Sequence, residues 1–137
     1  MNWAGSLQVL HLVRNVPQRE GWTSALTTPL LYFFRLRVFP DAQARLDAQT
    51  AVRGFHLVPL IEEVLAQAAA PALPDIKDSI QLASAEMVSA EYLITRNTKD
   101  FQPARLSVLT PEAWLALESA VTLYEDPTLP ALKDDKE

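Results

Sequence analysis

Apolar residues recur at helical spacing along much of the chain and gather into short runs elsewhere. Leu7, Leu10 and Val13 or Arg14 fall on one helical face and predict a helix over 6–15. Pro17 to Gly21 reads as a turn, and Trp22 to Ala25 as a short strand. Thr28-Pro29 predicts a helix start, with Thr as the cap and Pro at the first helical position, where its missing N–H costs nothing. That helix runs through Leu31, Phe34 and Leu36 towards Arg37. Pro40 and Asp41 restart a helix to Val52, and Gly54 ends it. Phe55 to Pro59 reads as a second strand. Ile61 to Ala70 is rich in helix formers, with Ile61, Val64, Leu65 and Ala68 on one face. Pro71 and Pro74 break it. Asp75 caps a helix over 76–88 whose apolar face is Ile76, Ile80, Ala83 and Met87. Tyr92 to Thr95 and Ser107 to Leu109 read as buried strands. Thr110-Pro111 repeats the cap-plus-proline device and opens a last helix through Trp114, Leu117 and Val121.

Short apolar strands alternating with helices predict an α/β domain with a mostly parallel, covered sheet. In such sheets chemistry gathers beyond the carboxyl ends of the strands. A length of 137 residues fits one domain with a real core. Composition, at 49% hydrophobic and 21% charged, excludes disorder as the whole account. No apolar run approaches the roughly 18–20 residues of a membrane-spanning helix, so no membrane role is expected. The N-terminus lacks the basic start and apolar stretch of a secretory signal. The absence of Cys removes disulfides, thiolate nucleophiles and cysteine zinc sites, and suits the cytoplasm. Of the net charge of −5, residues 125–137 hold −3, leaving −2 for the rest. A single domain over 1–124 and an acidic, Pro-punctuated, disordered tail over 125–137 are therefore expected. A body so near neutral would meet nucleic acid through a local patch rather than a global field.

The residues suited to chemistry lie in the second half. Asp75 and Asp78 share a face at the start of one helix, in the positive end of its dipole. Asp100 follows the strand Tyr92–Thr95 in a loop with Thr95, Arg96 and Asn97. A parallel sheet can bring that loop to the helix start, and converging carboxylates suit Mg²⁺ or Mn²⁺, which take oxygen ligands and keep several waters. Such an ion can activate water and stabilise a phosphoryl transition state. Lys77, Arg96, Lys99 and Arg105 supply nearby positive charge. The same acids also read locally: Asp75 as a cap, Asp78 as a dipole complement, Asp100 as a loop residue. His11 and His56 have no partner at a telling spacing, and Ser24 and Ser79 sit in no nucleophile elbow. Tyr32-Phe33-Phe34 reads as core and partner surface before a base-stacking platform. Three isolated glycines form no phosphate loop.

The stretch from Asp75 through Asp78, Ser79, Leu93-Ile94-Thr95-Arg96-Asn97 and Asp100-Phe101 to Val108-Leu109-Thr110-Pro111-Glu112 resembles the C-terminal half of the PIN-domain family. Gly21 to Ala25 and Leu31 to Phe33 resemble its second strand and following helix, so the likeness covers about 6–118. The resemblance implies a three-layer α/β sandwich and, in active members, a Mg²⁺- or Mn²⁺-dependent ribonuclease. Many members are toxins paired with an antitoxin, so it also implies a single-stranded RNA substrate, an antitoxin partner and a homodimer. By this likeness Asp78 and Asp100 are the catalytic acids and, with Asp75, the metal ligands. Thr95 and Asn97 support the site, and Lys77, Arg96 and Lys99 meet RNA phosphates. The family opens with a strand ending in Asp, whereas Met1 to Gly5 hold no acid, so that strand is expected to be missing or replaced. Its usual Glu after the second strand is also absent, since Thr28-Pro29-Leu30-Leu31 stands there. The alternative is therefore a catalytically impaired domain that acts through protein–protein binding or dimerisation.

Overall fold

A computed structural model describes residues 4–16, 18–70, 73, 75–101 and 105–125. Among these residues six helices and four strands follow one another: α1 (Ala4–Asn15), β1 (Trp22–Ser24), α2 (Thr27–Arg35), α3 (Asp41–Ala51), β2 (His56–Val58), α4 (Glu62–Ala69), α5 (Ile76–Met87), β3 (Tyr92–Ile94), β4 (Ser107–Leu109) and α6 (Pro111–Glu125). The domain is thus mixed α/β, as the alternating pattern predicts. The expected tail falls outside the described residues, apart from Glu125. Val121 is in α6, but its side chain lies outside the description.

All strand pairing is parallel, and the strands form two separate pairs rather than one sheet. In the first, Trp22, Thr23 and Ser24 sit opposite His56, Leu57 and Val58. In the second, Tyr92, Leu93 and Ile94 sit opposite Ser107, Val108 and Leu109. The His56 N–H donates to the Gly21 carbonyl and the Ala25 N–H to the Val58 carbonyl, both at 2.9 Å. In a parallel ladder that leaves the backbone groups of Trp22 and Ser24 turned away from β2. The Thr95 N–H donates to the Leu109 carbonyl at 3.0 Å, which likewise turns Tyr92 and Ile94 away from β4. The described residues thus provide four strands in two pairs.

The core lies where α4 and α5 meet the β1–β2 pair. Val58 (2% exposed) and Val64 (0%) are its fully buried large side chains, joined by Ala68, Ile80 and Ala83. Leu26 and Val88 pack against them. The predicted faces of α4 and α5 are half right. Val64, Ala68, Ile80 and Ala83 are buried, whereas Ile61, Leu65, Ile76 and Met87 are exposed. The buried side of α5 instead runs through Ser79, Leu82 and Ser84. Ser84 tolerates burial because its hydroxyl donates to the Ile80 carbonyl at 2.7 Å.

Local chemistry explains the element ends. The Asp75 carboxylate accepts the Lys77 N–H at 2.7 Å, the expected cap of α5. Thr110 Oγ1 accepts the Ala113 N–H at 3.1 Å, the expected cap of α6. The start of α2 differs from expectation. Ser24 Oγ accepts the Leu26 N–H at 3.1 Å, and the helix begins at Thr27 with no side-chain cap. Pro29 therefore sits one turn in, still among the N–H positions that have no intrahelical partner. Gly54, at φ +86°, ends the α3 region as expected. Arg14 of α1 reaches across to donate to the carbonyls of Arg53, Thr50 and Ala51 at 2.9, 3.2 and 2.8 Å. It supplies the cation that the last turn of α3 lacks.

Helix α5 closes with a double bond pattern. The Ser89 N–H donates to the Glu86 carbonyl at 3.1 Å and the Ala90 N–H to the Ala85 carbonyl at 3.0 Å. Ser89 stands at φ 54°, where glycine is favoured. Ser89→Gly is expected to raise stability by about 0.5–1 kcal/mol, read as a higher midpoint in urea with an unchanged slope. A lower midpoint would mean that the serine side chain contributes more than its backbone strain costs.

Candidate carboxylate site

The turn after α5 returns the chain at once to β3, whose end carries the second half of the site. Thr95 follows β3, and its Oγ1 accepts the Asn97 N–H at 3.1 Å. The Asn97 carbonyl in turn accepts the Asp100 N–H at 3.0 Å. Thr98–Phe101 forms a single 3₁₀ turn. Phe101 is 2% exposed and anchors that turn in the interior. Between anchor and strand lies a surface cavity of about 190 Å³, lined by Arg96, Asn97, Thr98, Lys99 and Asp100. Thr95 and Asn97 thus shape the loop that presents Asp100.

The first half of the site is the start of α5, which packs against β1 and also against the 3₁₀ turn. Asp78 is half-buried in the first helical turn. Its carboxyl is held above the ordinary carboxylate range, first by burial, then by the charge of Asp75, then by that of Asp100. Lys77 opposes the rise. Asp75 and Asp100, the two other acids singled out in the sequence, therefore both act electrostatically on Asp78. Among the described residues they do not form a group of three able to close around one ion. Carboxylate oxygens fit a hard cation, and Mg²⁺ is commonly held by one or two of them with water completing the shell. In chemical type, though not as a closed group of three, the donors here are oxygens of the kind such a hydrated ion takes.

The basic residues are not equivalent. The Lys77 ammonium lies 3.9 Å from Asp75, on the exposed side. Lys99 and Asp100 are exposed at the rim of the cavity. Arg96 is drawn inward, and its Nη1 donates to Glu112 of α6 at 3.2 Å. Glu112, in the first turn of α6, is a partner that sequence spacing does not reveal, because the contact joins two elements. His11 and His56 serve local structure. Asn15 Nδ2 lies 3.2 Å from His11 Nδ1, and the His56 ring stacks 4.6 Å from Trp22. No described helix is long and apolar enough to cross a membrane.

No family pattern matches the sequence. No curated protein matches it either. Among solved structures, the chain is similar to one in the "Toxin-antitoxin complex from Klebsiella pneumoniae", with a TM-score of 0.58 and 24% identity over 78% of this chain and 83% of that one. At that identity the likeness speaks for the fold, which is a small α/β fold shared with a chain of that complex.

Proposed function

We propose that the chain is a nuclease-like domain of toxin–antitoxin type, which binds single-stranded RNA through a hydrated Mg²⁺ or Mn²⁺ at Asp78 and Asp100, with the charge of Asp75 nearby, and turns it over slowly. The observation that carries this reading is the electrostatic crowding at Asp78, where burial and two further acids disfavour its charge. A divalent cation relieves that repulsion. When bound, the ion supplies a polarised water and a clamp on the phosphate. Asp78 and Asp100 hold it, Asp75 adds charge from the helix start, and Thr95 and Asn97 fix the loop. In this reading Lys77 and Lys99 would meet the RNA phosphates, and Arg96, held by Glu112, would add charge. The absence of Cys suits a cytoplasmic setting.

Titrating the protein into Mn²⁺ tests the site directly. The free-ion paramagnetic resonance signal should fall with wild-type protein and stay unchanged with Asp78→Asn or Asp100→Asn. Equal uptake by all three proteins would remove the carboxylate site and the nuclease reading with it. A second activity, binding of a partner protein, is favoured by one observation: α2 carries no buried residue. The fold's likeness to a chain of a toxin–antitoxin complex supports an antitoxin partner, and a homodimer is the other form such binding takes.

A further inference from the structure

Two sets of carboxylates compete for the Arg96 guanidinium. Arg96 follows Thr95 at the end of β3 and lines the same surface cavity as Asp100. Its Nη1 nevertheless donates to Glu112 of α6, at 3.2 Å, and its Nε and Nη2 lie out of solvent. The side chain is 24% exposed. Among the described residues Asp78 and Asp100 take part in no ion pair. The charges that act on Asp78 are those of Asp75, Asp100 and Lys77, and Arg96 is not among them. A cation beside the acid cluster is thus bonded to a carboxylate outside it.

The carboxylate that takes it is firmly placed. Thr110 Oγ1 accepts the Ala113 N–H, and the Thr110 carbonyl accepts the Trp114 N–H at 3.0 Å. Trp114 is buried and anchors the first turn of α6. Glu112 sits in that turn, where the helix dipole favours its charge.

We propose that Glu112 is a positioning residue that holds the Arg96 guanidinium away from Asp78 and Asp100 and so keeps the carboxylate site open to a divalent cation. The proposal rests on the carboxylate reading above and deepens it. A half-exposed ion pair is weak taken alone. Guanidinium groups seek carboxylates, and bind them best through two parallel bonds. With Glu112 neutral, the acids across the cavity become the better partner. Arg96 then turns inward and pairs with Asp100. It takes up the oxygens that a cation needs and adds positive charge where one must enter. The Glu112 carboxylate therefore acts on the ion through Arg96, without touching it.

The test is Mn²⁺ uptake by the full chain, read from the free-ion paramagnetic resonance signal, in wild type, Glu112→Gln, Arg96→Gln and the double variant. Glu112→Gln should bind Mn²⁺ about tenfold more weakly than wild type, the lower end of what loss of such an outer partner costs. Arg96→Gln and the double variant should bind it at least as well as wild type, because no guanidinium is left to compete. A merely structural tie between α6 and the loop after β3 is broken in the double variant too, and would leave it as weak as Glu112→Gln. That result overturns the proposal, and so does equal uptake by Glu112→Gln and wild type. No uptake by wild type or by any variant removes the carboxylate reading itself, and this proposal with it.

Discussion

In EDTA at neutral pH, Asp78→Asn should melt a few degrees higher than the wild-type chain. The Asp78 carboxyl is raised by burial and by Asp75 and Asp100, so folding disfavours its charged form. The folded state then binds more protons than the unfolded state between the ordinary value of 3.8 and the raised value. Stability therefore falls as pH rises through that window, and the penalty stands in full at neutral pH. Below 3.8 both states are protonated there and the penalty vanishes. Among the described residues no hydrogen bond depends on the Asp78 carboxylate, so the amide loses nothing structural. The variant should show a flatter stability–pH profile and gain nothing from added Mg²⁺. Wild type should gain about 1.4 kcal/mol at a free concentration ten times its Kd. A variant that melts several degrees lower in EDTA would make Asp78 a structural residue of the helix start.

How much of this was legible follows from which forces act locally. The caps at Asp75 and Thr110 were legible because each is set by a side chain and a backbone N–H two or three residues away. The start of α2 was not, since Thr28-Pro29 is a good local signal overridden by Ser24 holding the Leu26 N–H. The outward faces of Ile61, Leu65, Ile76 and Met87 were equally hidden. Helical spacing says which residues share a face, but not whether that face meets a partner element. The acid cluster could be suspected from the order of its motif. Its electrostatic coupling depends on α5 packing against both β1 and the turn after β3, which no spacing reveals. The pairing of Arg96 with Glu112 likewise spans two elements. The division of the strands into two pairs was not legible, because alternating strands and helices predict one parallel sheet and spacing does not say which strands bond.

Turnover of labelled single-stranded RNA by the 137-residue chain is expected to be low, about 0.1 per second or less in Mg²⁺ or Mn²⁺. The number of ligands sets this limit. No three acids among the described residues close on one ion, so water must fill most of its shell. An ion held this loosely leaves the attacking water poorly placed, and misplacement of about 1 Å costs about a hundredfold. Set against a typical enzyme turnover of about 10 per second, that gives the expected ceiling. The residual cleavage should vanish in EDTA and in Asp100→Asn, whereas Phe34→Ser, at an exposed position of α2, should leave it unchanged. Fast, EDTA-sensitive cleavage abolished by Asp100→Asn would mean that a further ligand completes the ion's shell. Neither cleavage nor cation-dependent RNA binding, with the fold intact, would leave binding of a partner protein as the chain's function.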